Sequence, residues 1–141
     1  MRPRIKPALR RLDRDGRTVQ FGAHPLHAVM LTGVEPAVRK LLDSLDGTRT
    51  LAEITAGCRG LDQAATHRLI DLLTRHGLLD DASIRRDVLH DMTIAERDRL
   101  GPDLGELSLS RHAIDGGLGA MRRRRLAHVR VYGAGRVGAQ M

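Results

Sequence analysis

The chain is 141 residues long, enough for one modest hydrophobic core and a small addition to it. Aromatic residues make up 1% of it, Phe21 and Tyr132 being the whole set. The core therefore has to come from Leu, Ile, Val, Ala and Met, and stacking platforms for single-stranded nucleic acid are all but excluded. The net charge of +7 is carried almost wholly by arginine, but acidic residues are interspersed along most of the chain, which favours a solvated surface over a polyanion-binding one.

A single cysteine, Cys58, excludes an internal disulfide and a cysteine-cluster zinc site; beside Gly57 and Gly60 it reads as a small buried hydrophobe. No apolar run is long enough to span a membrane and no signal-peptide core follows the basic N-terminus, so a cytoplasmic protein is expected.

In chain order, residues 2–6 are basic and proline-punctuated and read as a loose lead-in. Residues 8–12 are a candidate first strand. Asp15-Gly16 is a hairpin signal, and the β-prone run 18–22 follows it as a second strand. After Pro25, residues 27–31 form a third apolar strand that ends at Thr32-Gly33. Pro36 opens the first helix, and Leu41, Leu42 and Leu45 close it before the turn Asp46-Gly47. Thr50 caps a second helix over 51–56, with Glu53 at capping-box spacing. Asp62 caps a third over 63–76, and Gly77 ends it.

On that third helix Ala65, Leu69, Leu72, Leu73 and His76 recur at spacings of three and four, which predicts one apolar face. Ile70 lies off the stripe, so it either widens the core contact or projects into a groove. Strands followed by helices predict an α+β fold with a small three-stranded antiparallel sheet and three helices. Helix, tight turn, helix and longer helix make a helix-turn-helix, so residues 1–81 read as a winged helix.

From residue 80 onward the character changes. Residues 82–127 are charged and thin in apolar side chains, a helical linker that has to pack on a neighbour, extend or self-associate. Helices are predicted over 83–92 and 93–100, Thr93 and Glu96 forming a second capping box; Gly101-Pro102 breaks the latter. A short turn follows over 103–109, and 110–119 is a glycine-rich connection.

Arg122, Arg123, Arg124 and Arg125 read as a solvated helix face rather than a nucleic-acid patch, because a β-prone run, 126–132, and a glycine loop lie directly behind them. Gly133, Gly135 and Gly138 have the spacing that opens a nucleotide-binding βαβ unit. The chain ends at Met141, before the helix, second strand and ribose-binding acid such a unit needs. Residues 128–141 are thus the truncated start of a nucleotide-binding domain, and no cofactor is expected to bind. The orphaned strand is open to pairing with a copy of itself, giving a homodimer, or with the edge of the winged domain.

Two resemblances follow from these stretches. Three strand-like segments, then LDGTRTLAEI and a long third helix, resemble the PqqD-like fold over roughly residues 6–81. That fold implies recognition of leader peptides in pathways that make and modify ribosomal peptides. The stretch 116–140, a basic helix leading into a strand and glycine loop, is similar to the entry into ThiF-like (ubiquitin-activating-enzyme-like) adenylyltransferases. The pair implies the N-terminal part of a protein from a cluster making azole, azoline or thiopeptide antibiotics. Such a protein binds the precursor's leader and presents the core peptide to a partner cyclodehydratase. ATP is left open for the full-length parent.

The physical basis for such binding is a free sheet edge, where a guest adds as an extra strand. Ala28, Val29, Met30 and Leu31 are the expected edge. His67, Arg68, Ile70, Asp71, Thr74 and Arg75 on the third helix are the expected opposite wall, with Arg68 and Arg75 placed to meet an acidic guest. One rival is a winged-helix DNA-binding regulator; Asp62 and Asp71 would face phosphates unfavourably, so nucleic acid is disfavoured. Another is a fragment of an ATP-dependent adenylyltransferase. No catalytic or metal-binding constellation is present: the seven histidines do not pair with carboxylates at helical ligand spacing, and Ser108 and Ser110 lack a nucleophile-elbow setting, so no enzyme activity is expected of this chain.

Overall fold

The structure, a computed structural model, describes residues 1–24, 28–84, 89–90, 92–110, 112–130 and 132. Its described elements are α+β: a three-stranded antiparallel sheet, a two-stranded ribbon and five helices.

The sheet is built from β2 (Arg11–Asp15), β3 (Thr18–Phe21) and β4 (Val29–Thr32), in the order β2-β3-β4. Asp15 pairs with Thr18 across the Gly16-Arg17 turn, and the Asp15 carboxylate accepts the Arg17 N–H at 2.7 Å, which fixes the hairpin. The first strand therefore begins at Arg11, three residues later than its apolar start at Ala8 suggested. Period-two alternation then sorts the faces. Val19 and Phe21 are fully buried, opposite Leu31 and Val29, while Gln20 lies opposite Met30 on the outer face.

Helices α1 (Pro36–Ser44), α2 (Leu51–Gly57) and α3 (Gln63–Arg75) cover the inner face. Their starts follow from side chains. Pro36 opens α1, and the capping box of α2 is closed both ways: Glu53 N–H donates to the Thr50 hydroxyl at 3.3 Å and Thr50 N–H to the Glu53 carboxylate at 2.7 Å. Asp62 accepts from the Ala65 N–H at the start of α3, and Gly77, at φ +68°, ends it. Leu41, Leu42, Leu45, Ile54, Ile70, Leu73, Leu78 and Leu79 join Val19 and Phe21 in one cluster.

Several elements differ from the sequence expectation. The lead-in is no loose segment: Pro3–Ile5 is β1, antiparallel to β5 (Leu79–Asp81), and Ile5 N–H also donates to the Leu45 carbonyl at 2.9 Å. The buried face of α3 is Thr66, Ile70 and Leu73; Leu72 is 38% exposed and His76 is an exposed C-cap. Of the predicted helix over 83–92, residues 85–88 and 91 lie outside the described residues; Ser83 lies in a turn, Ile84 and Met92 in bends, and Leu89 in a 3-10 turn. Helix α4 (Ile94–Leu109) runs straight through Gly101 and Pro102, and α5 (Leu118–Leu126) carries the exposed arginine run. Residues 127–130 form no strand, so the expected first strand of a nucleotide-binding domain is not seen among the described residues.

Of the three fates left open for the region after residue 82, packing on a neighbour is the observed one. Leu107, Ala120 and Met121 make a small cluster with Leu100 and Leu104, and this α4–α5 unit sits against the β1–β5 ribbon. No described helix is long and apolar enough to cross a membrane.

Candidate functional site

In the sheet, β4 pairs with β3 along one side, and among the described residues no strand covers its other side. An antiparallel edge strand of this kind presents the N–H and C=O groups of alternate residues outward. Val29 and Leu31 are half-buried against the core, whereas Met30 is 60% exposed.

Beside this edge lies a cleft of about 210 Å³. Leu31, Thr32 and Gly33 at the end of β4 form one wall, and Ala65, Arg68 and Leu69 of α3 the other. Val34, Val38 and Leu61 complete the lining. Among the described residues the lining is apolar except for Thr32 and the exposed Arg68, the one charged residue that borders it. The wall on α3 follows from helical geometry: at 100° per residue Ala65, Arg68, Leu69 and Leu72 share one side, next to the Thr66–Ile70–Leu73 side that enters the core.

The predicted site residues divide accordingly. Ala28, Val29, Met30 and Leu31 are on or next to the edge strand, and Arg68 is on the cleft rim. Arg75, seven residues beyond Arg68, is exposed on the same side of the helix. Ile70 is only 3% exposed and belongs to the core, the first of the two roles its position left open. His67, Asp71 and Thr74 lie on the far side of α3 from the cleft; the Thr74 hydroxyl donates to the Ile70 carbonyl at 2.8 Å. These four do not line the cleft.

The lining residues missed are Ala65 and Leu69 on α3, Thr32, Gly33 and Val34 just past the predicted edge, and Val38 and Leu61 from neighbouring segments. A signal for two of them existed. Ala65, Leu69 and Leu72 formed an apolar stripe that the core does not fully consume.

A larger cavity of about 890 Å³ lies between the β1–β5 ribbon and α4. Size alone would favour it, but its walls mix Arg4, Arg97 and His90 with Asp80, Asp81, Asp98 and Asp115. Its most buried acid is already engaged. Asp80 is 2% exposed, accepts from the Ser108 hydroxyl at 3.2 Å and faces Arg4 at 3.7 Å. Burial pushes the Asp80 carboxyl above the usual aspartate range, opposed in part by Lys6, Ser108 and Arg4. The smaller cleft, with a free strand edge beside it, is the better docking feature.

Among the described residues no three His, Cys, Asp or Glu side chains converge as metal ligands. Cys58 is the C-cap of α2 and packs, half-buried, against the core. Gly133, Gly135 and Gly138 lie outside the described residues. Comparison with protein-family models, curated proteins and solved structures found no match to this chain.

Proposed function

We propose that the chain is a peptide-binding module of winged-helix type, which takes the leader region of a ribosomally made precursor as an added strand on β4. The observation that carries the reading is the uncovered edge of β4 beside an apolar cleft walled by α3. Main-chain pairing along the edge gives affinity, and the cleft gives specificity by accepting a side chain of the guest. At about 210 Å³ and with an apolar lining, it suits one bulky aliphatic or aromatic side chain. Arg68 at the rim favours an acidic neighbour in the guest.

On this reading residues 1–81 are the recognition element. The segment after residue 127 leads toward a ThiF-like domain, and the bound precursor is passed to a partner cyclodehydratase. The chain itself performs no chemistry.

The test is titration of the purified protein with a synthetic leader peptide from any short precursor found encoded near its gene, followed by amide chemical shifts. Binding in the micromolar range or tighter, with shifts at Ala28, Val29, Met30, Leu31, Arg68, Leu69 and Leu72, is expected. Shifts confined to His67, Asp71 and Thr74 would contradict it. So would duplex DNA binding whose affinity collapses with added salt, the mark of counterion release. ATP-dependent pyrophosphate exchange by the same sample would favour the adenylyltransferase reading instead.

A further inference from the structure

Among the described residues two separate clusters of buried apolar side chains stand out. One is the cluster built on β3 and α1–α3; the other is the Leu107–Ala120–Met121 group within α4 and α5. A polar, deeply buried cluster helps to join them. Lys6 is 1% exposed, and its Nζ donates to the Ser108 main-chain carbonyl on α4. The Ser108 hydroxyl, on a residue 4% exposed, donates to the Asp80 carboxylate at 3.2 Å. Asp80 also faces Lys6, Arg4 and, from the approach to α5, Asp115. A main-chain bond from Asp81 N–H to the Ile114 carbonyl at 2.7 Å runs beside the cluster.

A seam of this type has a particular energetics. Removing charges from water offsets most of their mutual attraction, so the intact cluster stabilises little, yet loss of one member leaves an uncompensated buried charge. A unit with few apolar contacts of its own also sits at the low end of a protein's local stabilities.

We propose that α4–α5 is a detachable arm, latched to the ribbon by the Lys6–Asp80–Ser108 cluster, and that it opens as a unit while the β3/α1–α3 core stays folded. The inference is independent of what the β4 cleft binds.

Amide hydrogen exchange on the full chain tests it. In the wild type, α4 and α5 are expected to exchange through an opening that leaves α3 and β3 protected. Lys6→Met is expected to lower arm protection by roughly a hundredfold or more, with α3 and β3 unchanged, because Asp80 keeps its charge but loses the buried cation it faces. Adding Asp80→Asn to Lys6→Met is expected to recover most of that protection, since the buried carboxylate charge is removed along with the buried ammonium and Arg4, a quarter exposed, keeps its access to water. Ser108→Ala, on the arm side, is expected to lower arm protection alone. The proposal is overturned if arm and core exchange together in the wild type, if the double variant protects the arm no better than Lys6→Met, or if Ser108→Ala leaves the arm unchanged. Should Lys6→Met unfold the whole chain, Ser108→Ala decides.

Discussion

Leu31 on β4 lies directly opposite Val19 on β3, but the two residues end differently: Val19 is sealed at 0% exposure and Leu31 remains half-buried at the mouth of the cleft. The difference comes from strand order. The middle strand has a neighbour on both sides, and the outer one has α3 across a gap.

Filling that gap is the most direct test of its role. Ala65→Phe keeps a helix-compatible residue and places a ring where a guest side chain would sit. Titration with the leader peptide is expected to show at least a tenfold weaker affinity, about 1.4 kcal/mol. The circular-dichroism spectrum is expected to be unchanged.

Charge at the rim is expected to act more mildly. Arg68 is exposed, so Arg68→Glu should leave the melting temperature unaltered and weaken an acidic guest by roughly threefold to tenfold, mainly through the association rate. Stopped-flow kinetics at two salt concentrations checks this: the wild-type rate should fall with salt and the variant's should not.

Strand addition has a signature that a helix-in-groove mode lacks. In a guest peptide with single N-methylated amides, affinity should drop at every second position and be retained between them. A period of three or four would point to a guest bound as a helix.

Stability should respond to the capping and core residues in proportion to their surroundings. Asp62→Ala removes the acceptor of the Ala65 N–H and is expected to cost about 1 kcal/mol. Leu79→Ala, at a fully buried site, is expected to cost about 2–5 kcal/mol. Urea denaturation followed by far-ultraviolet circular dichroism measures both.

Acid titration should separate two kinds of carboxylate. Glu53 and Glu96 are held below the usual range by hydrogen bonds from the Thr50 and Thr93 N–H and hydroxyl groups. Their folded pKa is depressed, so the stability they add is present above the unfolded value, about 4, and is lost as pH falls through the folded one. Asp80 runs the other way: raised by burial, its contribution is intact below the unfolded value and lost as pH rises through the folded one. Asp80→Asn should therefore flatten the stability profile on the rising side, and Glu53→Gln on the acid side. Melting temperatures across pH 3–7 read out both.

How far the sequence could be read depended on the range of the interactions. The Asp15-Gly16 turn, the Thr50 and Thr93 boxes and the Asp62 cap are closed within a few residues, and each is formed where its motif stands. Strand β1 was invisible because its partners are remote: Arg4 pairs with Asp80 and bridges to Asp46, and nothing local marks it. Helix α4 passes Pro102 although proline removes one main-chain bond; packing of Leu100, Leu104 and Leu107 along one side overrides that local signal. On α3 the leucines drew attention away from Thr66, whose hydroxyl returns to the Asp62 carbonyl at 3.0 Å and so can be fully buried. The cleft wall was misplaced with it, by more than a third of a turn.

The scarcity of aromatic rings has a use at the bench. Phe21 is fully enclosed and barely emits, the chain holds no tryptophan, and Tyr132, at 86% exposure, reports on solvent near the C-terminus rather than on the cleft. A tryptophan carried by an incoming ligand would consequently be the sole indole in the cuvette, and its blue shift would register entry into an apolar site against a dark background.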